Sequence, residues 1–118
     1  MPQYMLLLYD DPKGVEIFRN MGPAEIQAAI AQYRAWGDRL RSDGLLVASH
    51  KLADEGGKRV ERDGQKVRVT DGPFTEAKEV LGGYYTITAS SYQDAIDRAL
   101  HDCPHLEHGS VVIREIEI

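Results

Sequence analysis

Apolar residues recur along this chain with two different periods, and the switches between them mark out the elements. Residues 4–9, Tyr-Met-Leu-Leu-Leu-Tyr, are an unbroken apolar run stopped by Asp10, Asp11 and Pro12. A run of that length without alternation predicts a strand buried on both faces. Residues 10–22 carry Asp, Pro and Gly and read as a long connection with one helical turn around residues 15–18. A helix is predicted next, because Pro23 suits a first helical position and Gly44 a C-terminal cap. Its stripe is Ile26, Ala29, Ile30, Tyr33, Trp36 or Gly37, and Leu40. Gly37 inside that helix should cost about 1 kcal/mol relative to Ala. Close approach to the sheet or to a partner subunit is the expected compensation.

Residues 45–52 read as a second strand. Residues 58–70 then predict a hairpin, with Asp63 and Gly64 as its two-residue loop. That loop places Val60 opposite Val67 and Glu61 opposite Lys66. Residues 84–89 are rich in β-branched and aromatic side chains and read as a further strand. Ser91 and Asp94 form the weaker Asp variant of a capping box. Tyr92, Ala95, Ile96, Ala99 and Cys103 line one side of the helix they open, which Pro104 is expected to end. Residues 111–118 close the chain as a strand. The order is β-α-β-(hairpin)-β-α-β, which predicts one α+β domain over residues 1–118 with a ferredoxin-like arrangement. Two helices cover one face of such a sheet, so a face-to-face homodimer is the expected cover for the other.

Composition narrows the classes of partner. The 118 residues are 42% hydrophobic and 28% charged, ordinary for a globular protein. A net charge of −5 argues against nucleic acid as the direct partner. The apolar run at residues 4–9 is too short to span a membrane, and no basic and apolar leader opens the chain. One cysteine, Cys103, excludes an internal disulfide and fits a reducing cytoplasm. No glycine-rich phosphate loop, nucleophile elbow or paired-histidine zinc motif is present, so no cofactor is expected.

Candidate chemistry concentrates at residues 69–83. Asp71, Gly72 and Pro73 have turn chemistry, with Phe74 as an apolar plug behind them. Glu76, Lys78 and Glu79 follow, either as a solvated charged loop or as ionisable groups at a pocket mouth. His101, Asp102, Cys103, His105 and His108 fall within eight residues, but their spacing fits no standard zinc pattern. A polar helix end accounts for them, with His105 the candidate acid or base if one lines a pocket. His50, on the second strand, shares a face with Ala48 and Leu52. Arg114 shares a face with Val112, Ile116 and Ile118, where a cation must meet a carboxylate or an anionic ligand. The hairpin holds Lys58, Arg59, Arg62, Lys66 and Arg68, diluted by Glu61 and Asp63, and reads as a solvated ribbon.

Asp71-Gly72-Pro73-Phe74, Glu76, Lys78-Glu79 and Gly83-Tyr84-Tyr85 resemble the DGPF branch of the YCII-related family. The resemblance extends over essentially the whole chain and implies a dimeric α+β barrel. The family's biochemical activity is largely unassigned, so the candidate ligand contacts come from the residues read above: Asp71, Phe74, Glu76, Glu79, His50 and Arg114, for a small anionic metabolite. Acid–base work would fall to His105, Lys78 and Asp102, the last standing where relatives place an Asp shortly before a Pro. The His that pairs with it on the first helix in relatives has no counterpart in residues 23–43. Some members are fused to or encoded beside extracytoplasmic-function sigma factors, which implies a transcription-related protein partner.

Overall fold

The computed structural model describes residues 1–72 and 79–118. Its centre is a four-stranded antiparallel sheet of β1 (Gln3–Asp10), β2 (Leu46–Lys51), β5 (Val80–Thr88) and β6 (Gly109–Ile116). The spatial order is β2-β5-β1-β6. Among the described residues three α-helices accompany it: α1 (Pro12–Arg19), α2 (Pro23–Ser42) and α3 (Tyr92–Ala99). A short 3-10 helix, Pro104–Glu107, follows α3. The hairpin strands β3 (Lys58–Asp63) and β4 (Lys66–Asp71) form a separate two-stranded sheet. The protein is therefore α+β. Among the described residues no helix is long and apolar enough to cross a membrane.

Tyr4, Leu6 and Leu8 of β1 point under the helices and are buried, as are Ile87 and Ala89. They meet Trp36 and Leu40 of α2, Leu45, and Ala95, Ala99 and Cys103 from the α3 segment. Met5, Leu7 and Tyr9 alternate to the opposite face and are only partly buried. The strand expected to be buried on both faces is thus buried on one, since α2 and the α3 segment pack on the side of Tyr4, Leu6 and Leu8.

Local chemistry explains where the helices stop. Asp11 caps α1 by accepting from the Gly14 N–H at 2.6 Å, with Pro12 in the first turn. What reads in the sequence as a single turn is thus an eight-residue helix. At the C-terminus of α2, Gly44 adopts φ +73°. Its N–H reaches Arg41 O and that of Leu45 reaches Leu40 O, at 3.0 and 2.9 Å. This is a Schellman motif closed by the buried Leu40 and Leu45. The α2 stripe is buried only in its second half: Trp36 and Leu40 are covered, whereas Ile26 and Ile30 lie exposed beyond the core. Ser91 caps α3 as expected. That helix stops at Ala99, however, and Pro104 opens the 3-10 helix rather than ending α3.

The hairpin register differs from the expected one. Gly64 and Gln65 form the loop, with Asp63 paired to Lys66, Val60 to Val69 and Glu61 to Arg68. Gly64 has φ +65°, and among the described residues none other than glycine has positive φ. That pattern suits a II′ turn, which needs the positive φ only at its first central residue, and it leaves Asp63 in the strand.

Candidate functional site

Two glycines bring the chain together at one end of β1. Leu8 pairs with Gly83 and Tyr9 with Leu81, so Gly82 is the extra residue of a bulge. A Cβ on Gly82 would stand 2.5 Å from Asp10 Oδ2. The bare glycine is what lets the Asp10 carboxylate lie against the strand. On the other side, a Cβ on Gly109 would stand 2.2 Å from Tyr9 O and 2.7 Å from His105 Nε2. His105 can therefore press against the end of β1.

His105 is 4% exposed and both ring nitrogens are engaged. Nε2 lies 2.7 Å from the Tyr9 carbonyl oxygen and Nδ1 lies 2.8 Å from the Tyr33 hydroxyl. A carbonyl only accepts, so Nε2 carries the proton; the Nδ1 of a neutral ring then accepts from Tyr33. Asp10 Oδ1 stands 3.7 Å from the same Nε2. Burial raises the Asp10 pKa above its ordinary value, with the proximity of His105 opposing it. Burial also raises the Tyr33 pKa, the Asp10 charge adding to it, which keeps that phenol a donor.

Asp10 is the member of this trio that faces solvent. It lines an open groove of about 380 Å³ with Pro12, Val15, Glu16, Arg19, Asn20 and Val80. Arg19 has no ion-pair partner among the described residues, and the groove lining holds its guanidinium together with the carboxyl groups of Asp10, whose pKa is raised, and Glu16. A guanidinium can hold an anionic group, and a carboxyl of raised pKa can exchange a proton with a neighbouring atom.

The residues singled out in the sequence are scattered over the structure. Lys78, Phe74 and Glu76 lie outside the described residues. Asp71 is exposed, and its carboxylate meets the Lys58 ammonium across the hairpin. Glu79 is exposed immediately before β5. His50 is exposed on the open sheet face, its Nδ1 2.9 Å from the Tyr84 hydroxyl. Arg114 sits on the same face opposite Met5, exposed and without an ion-pair partner among the described residues. Asp102 is held by Arg39, whose Nε donates to Oδ2 at 2.9 Å and whose NH2 group donates to Oδ1. Arg39 holds the Asp102 carboxyl below its ordinary range. Arg39 also donates to the carbonyls of Arg98 and Ala99, so the pair ties α2 to the end of α3. Among the described residues no three His, Cys, Asp or Glu side chains converge on a metal-sized site.

Only His105 belongs both to the sequence candidates and to the trio. Asp10 reads in the sequence as part of a strand stop, and Tyr33 as one more member of an apolar stripe. A signal was present for Tyr33, since a hydroxyl on a buried helix stripe needs a polar partner.

The family model for the YCII-related domain matches residues 2–117. The chain belongs to that family. No curated protein matches it. In this YCII-related domain the helix-borne partner of the region after Pro104 is a tyrosine, Tyr33, which contacts His105.

Proposed function

We propose that this YCII-related domain binds a small anionic metabolite in the groove beside α1. Arg19 is the anion contact and Asp10 the acid–base group, without a cofactor. His105 and Tyr33 are positioning residues: they fix the polar environment behind Asp10 and hold its proton-accepting oxygen near a buried imidazole. The observation that carries this reading is a partly buried carboxyl of raised pKa, 3.7 Å from a buried histidine and open to a groove lined also by Arg19, which has no ion-pair partner among the described residues. The ion pair with Arg39 supports a structural role for Asp102, and this reading gives the acid–base role to Asp10.

The same proposal extends to assembly. The order β2-β5-β1-β6 with its helices on one side supports a ferredoxin-like fold. The opposite face carries Met5, Leu7, Val112 and Ile116, an apolar area suited to face-to-face packing of two copies into a barrel. Arg114 sits within that area and would need a carboxylate or an anion once covered. The single buried thiol suits a cytoplasmic setting. A second reading, a non-catalytic regulatory module that touches a transcription-related protein, draws its support from the exposed valines of the hairpin.

A thermal-shift series with small carboxylates and phosphorylated metabolites tests the binding site. A ligand that raises Tm in wild type but far less in Arg19→Ala and Asp10→Asn is the expected result. A ligand whose effect is unchanged in both variants would place the site elsewhere.

A further inference from the structure

The charges that line the groove beside α1 narrow what it can hold. Its wall carries one cation, Arg19, and two carboxyl groups, Asp10 and Glu16. The Asn20 carboxamide and the apolar Pro12, Val15 and Val80 complete it. Glu16 and Arg19 stand three residues apart on α1, a spacing at which opposite charges on one helix can meet. Asp38 and Arg41 do meet at that spacing on α2, at 2.9 Å. Glu16 and Arg19 do not, and neither side chain has a hydrogen bond or ion pair among the described residues.

Asp10 does not neutralise Arg19 either, because it is seated elsewhere. Its Oδ1 lies 3.7 Å from His105 Nε2. Its Oδ2 lies over Gly82, where a Cβ would stand only 2.5 Å away. The groove thus presents both signs of charge, and neither is cancelled by the other within it.

A ligand of one sign fits such a lining poorly. A phosphate ester would gain Arg19 but face two carboxyl groups, on a chain whose net charge is already −5. A plain amine would leave the guanidinium unmet. A molecule with a carboxylate and a protonated amine meets each charge with its opposite. The volume of about 380 Å³ stands at the small end of ligand pockets, and Val15 and Val80 offer a short apolar wall.

Building on the groove as the binding site, we propose that its ligand is a small amino carboxylate of the amino-acid class. The carboxylate meets Arg19, the ammonium meets Glu16 and Asp10, and the apolar remainder lies toward Val15 and Val80. Glu16 is then a specificity-determining residue: it does not hold the anion but selects for the amine.

Isothermal titration calorimetry on the full chain can compare ligands that differ only in the amine: valine with isovalerate, and aspartate with succinate. The amine-bearing member of each pair should bind about tenfold or more tightly. Glu16→Gln should remove most of that preference, weakening the amino acids while isovalerate and succinate bind as before or more tightly. Glu16 is exposed, so circular dichroism and Tm should stay at their wild-type values in that variant. Arg19→Ala should weaken both members of each pair, which reports on the groove itself. Isovalerate and succinate that bind as tightly as their amino partners, and are weakened by Arg19→Ala, would overturn the amine preference and leave the groove in place. An amine preference unchanged in Glu16→Gln would overturn it too. Amino acids that bind Arg19→Ala with full affinity, or no binding by any of the four compounds, would overturn the groove reading and the amine preference together.

Discussion

Two glycines in helices make a pair of substitutions with opposite expected signs. Replacing a helical Gly by Ala gains about 1 kcal/mol from the backbone alone when the new methyl group has room. Gly37 in α2 has that room: a Cβ there would meet only Tyr85 Cε2, at 3.9 Å, an ordinary contact. Gly37→Ala should therefore stabilise by about 1 kcal/mol. For a chain of this length that is a rise in Tm of roughly 3–6 °C. Gly14 in α1 is the reverse case, because its Cβ would stand 2.1 Å from His108 O and 3.2 Å from His108 C. Both neighbours are backbone, so α1 or the turn before β6 would have to move by nearly an ångström. Overpacking of this kind costs about 1–3 kcal/mol and outweighs the propensity gain. Urea unfolding of both variants beside wild type reads the difference directly. A Gly14→Ala protein as stable as Gly37→Ala would refute the seating of α1 against His108, and with it the wall of the groove.

Other consequences follow from the same contacts. Tyr33→Phe leaves the buried His105 Nδ1 without its donor and should cost about 1–3 kcal/mol, seen as a lower urea midpoint with an unchanged slope. Trp36→Phe removes the 2.8 Å bond from Nε1 to Ala99 O, and the same carbonyl still receives Arg39. Its loss should be smaller, about 1 kcal/mol beyond the change in packing. Asp102 has a lowered pKa, so its pair with Arg39 contributes fully above the ordinary value of 3.8 and is lost as pH falls below it. Asp102→Asn should flatten the acid limb of a Tm-versus-pH curve in that window. Asp10 has a raised pKa and the opposite sign: its relative stability is present below 3.8 and is lost as pH rises through the higher folded value. Asp10→Asn should therefore gain on wild type as pH rises through that interval, and a constant difference would contradict the burial of the carboxylate.

Much of the scaffold is legible in the residues themselves. Pro23, Gly44 and Ser91 mark helix ends by mechanisms that need only local chain geometry, and each stands at or next to the end it marks. The strand at residues 4–9 is found, but periodicity cannot show that one of its faces stays open in a single chain. The hairpin turn is misplaced by one residue because Asp63 and Gly64 satisfy a I′ loop as well as Gly64 and Gln65 satisfy a II′ loop. Gly37 is located correctly, yet the sheet does not crowd it; its own-chain surroundings would accept a methyl group. The site is far less legible. His105 stands out by its chemistry, whereas Asp10 and Tyr33 reach it only through the bulge at Gly82 and the bare surface of Gly109. Both are tertiary consequences of missing side chains. Asp102 illustrates the converse, since a suggestive sequence position is occupied by an ion pair with Arg39 from another helix.

The most direct test of the groove reading is an amide chemical-shift titration of the labelled protein with small carboxylate and phosphate-bearing metabolites. The account predicts saturable shifts centred on Asp10, Val15, Arg19, Asn20 and Val80, extending to His105 and lost in Arg19→Ala. Saturable shifts confined to the open sheet face around His50 and Arg114, with the Asp10 region silent, would contradict it.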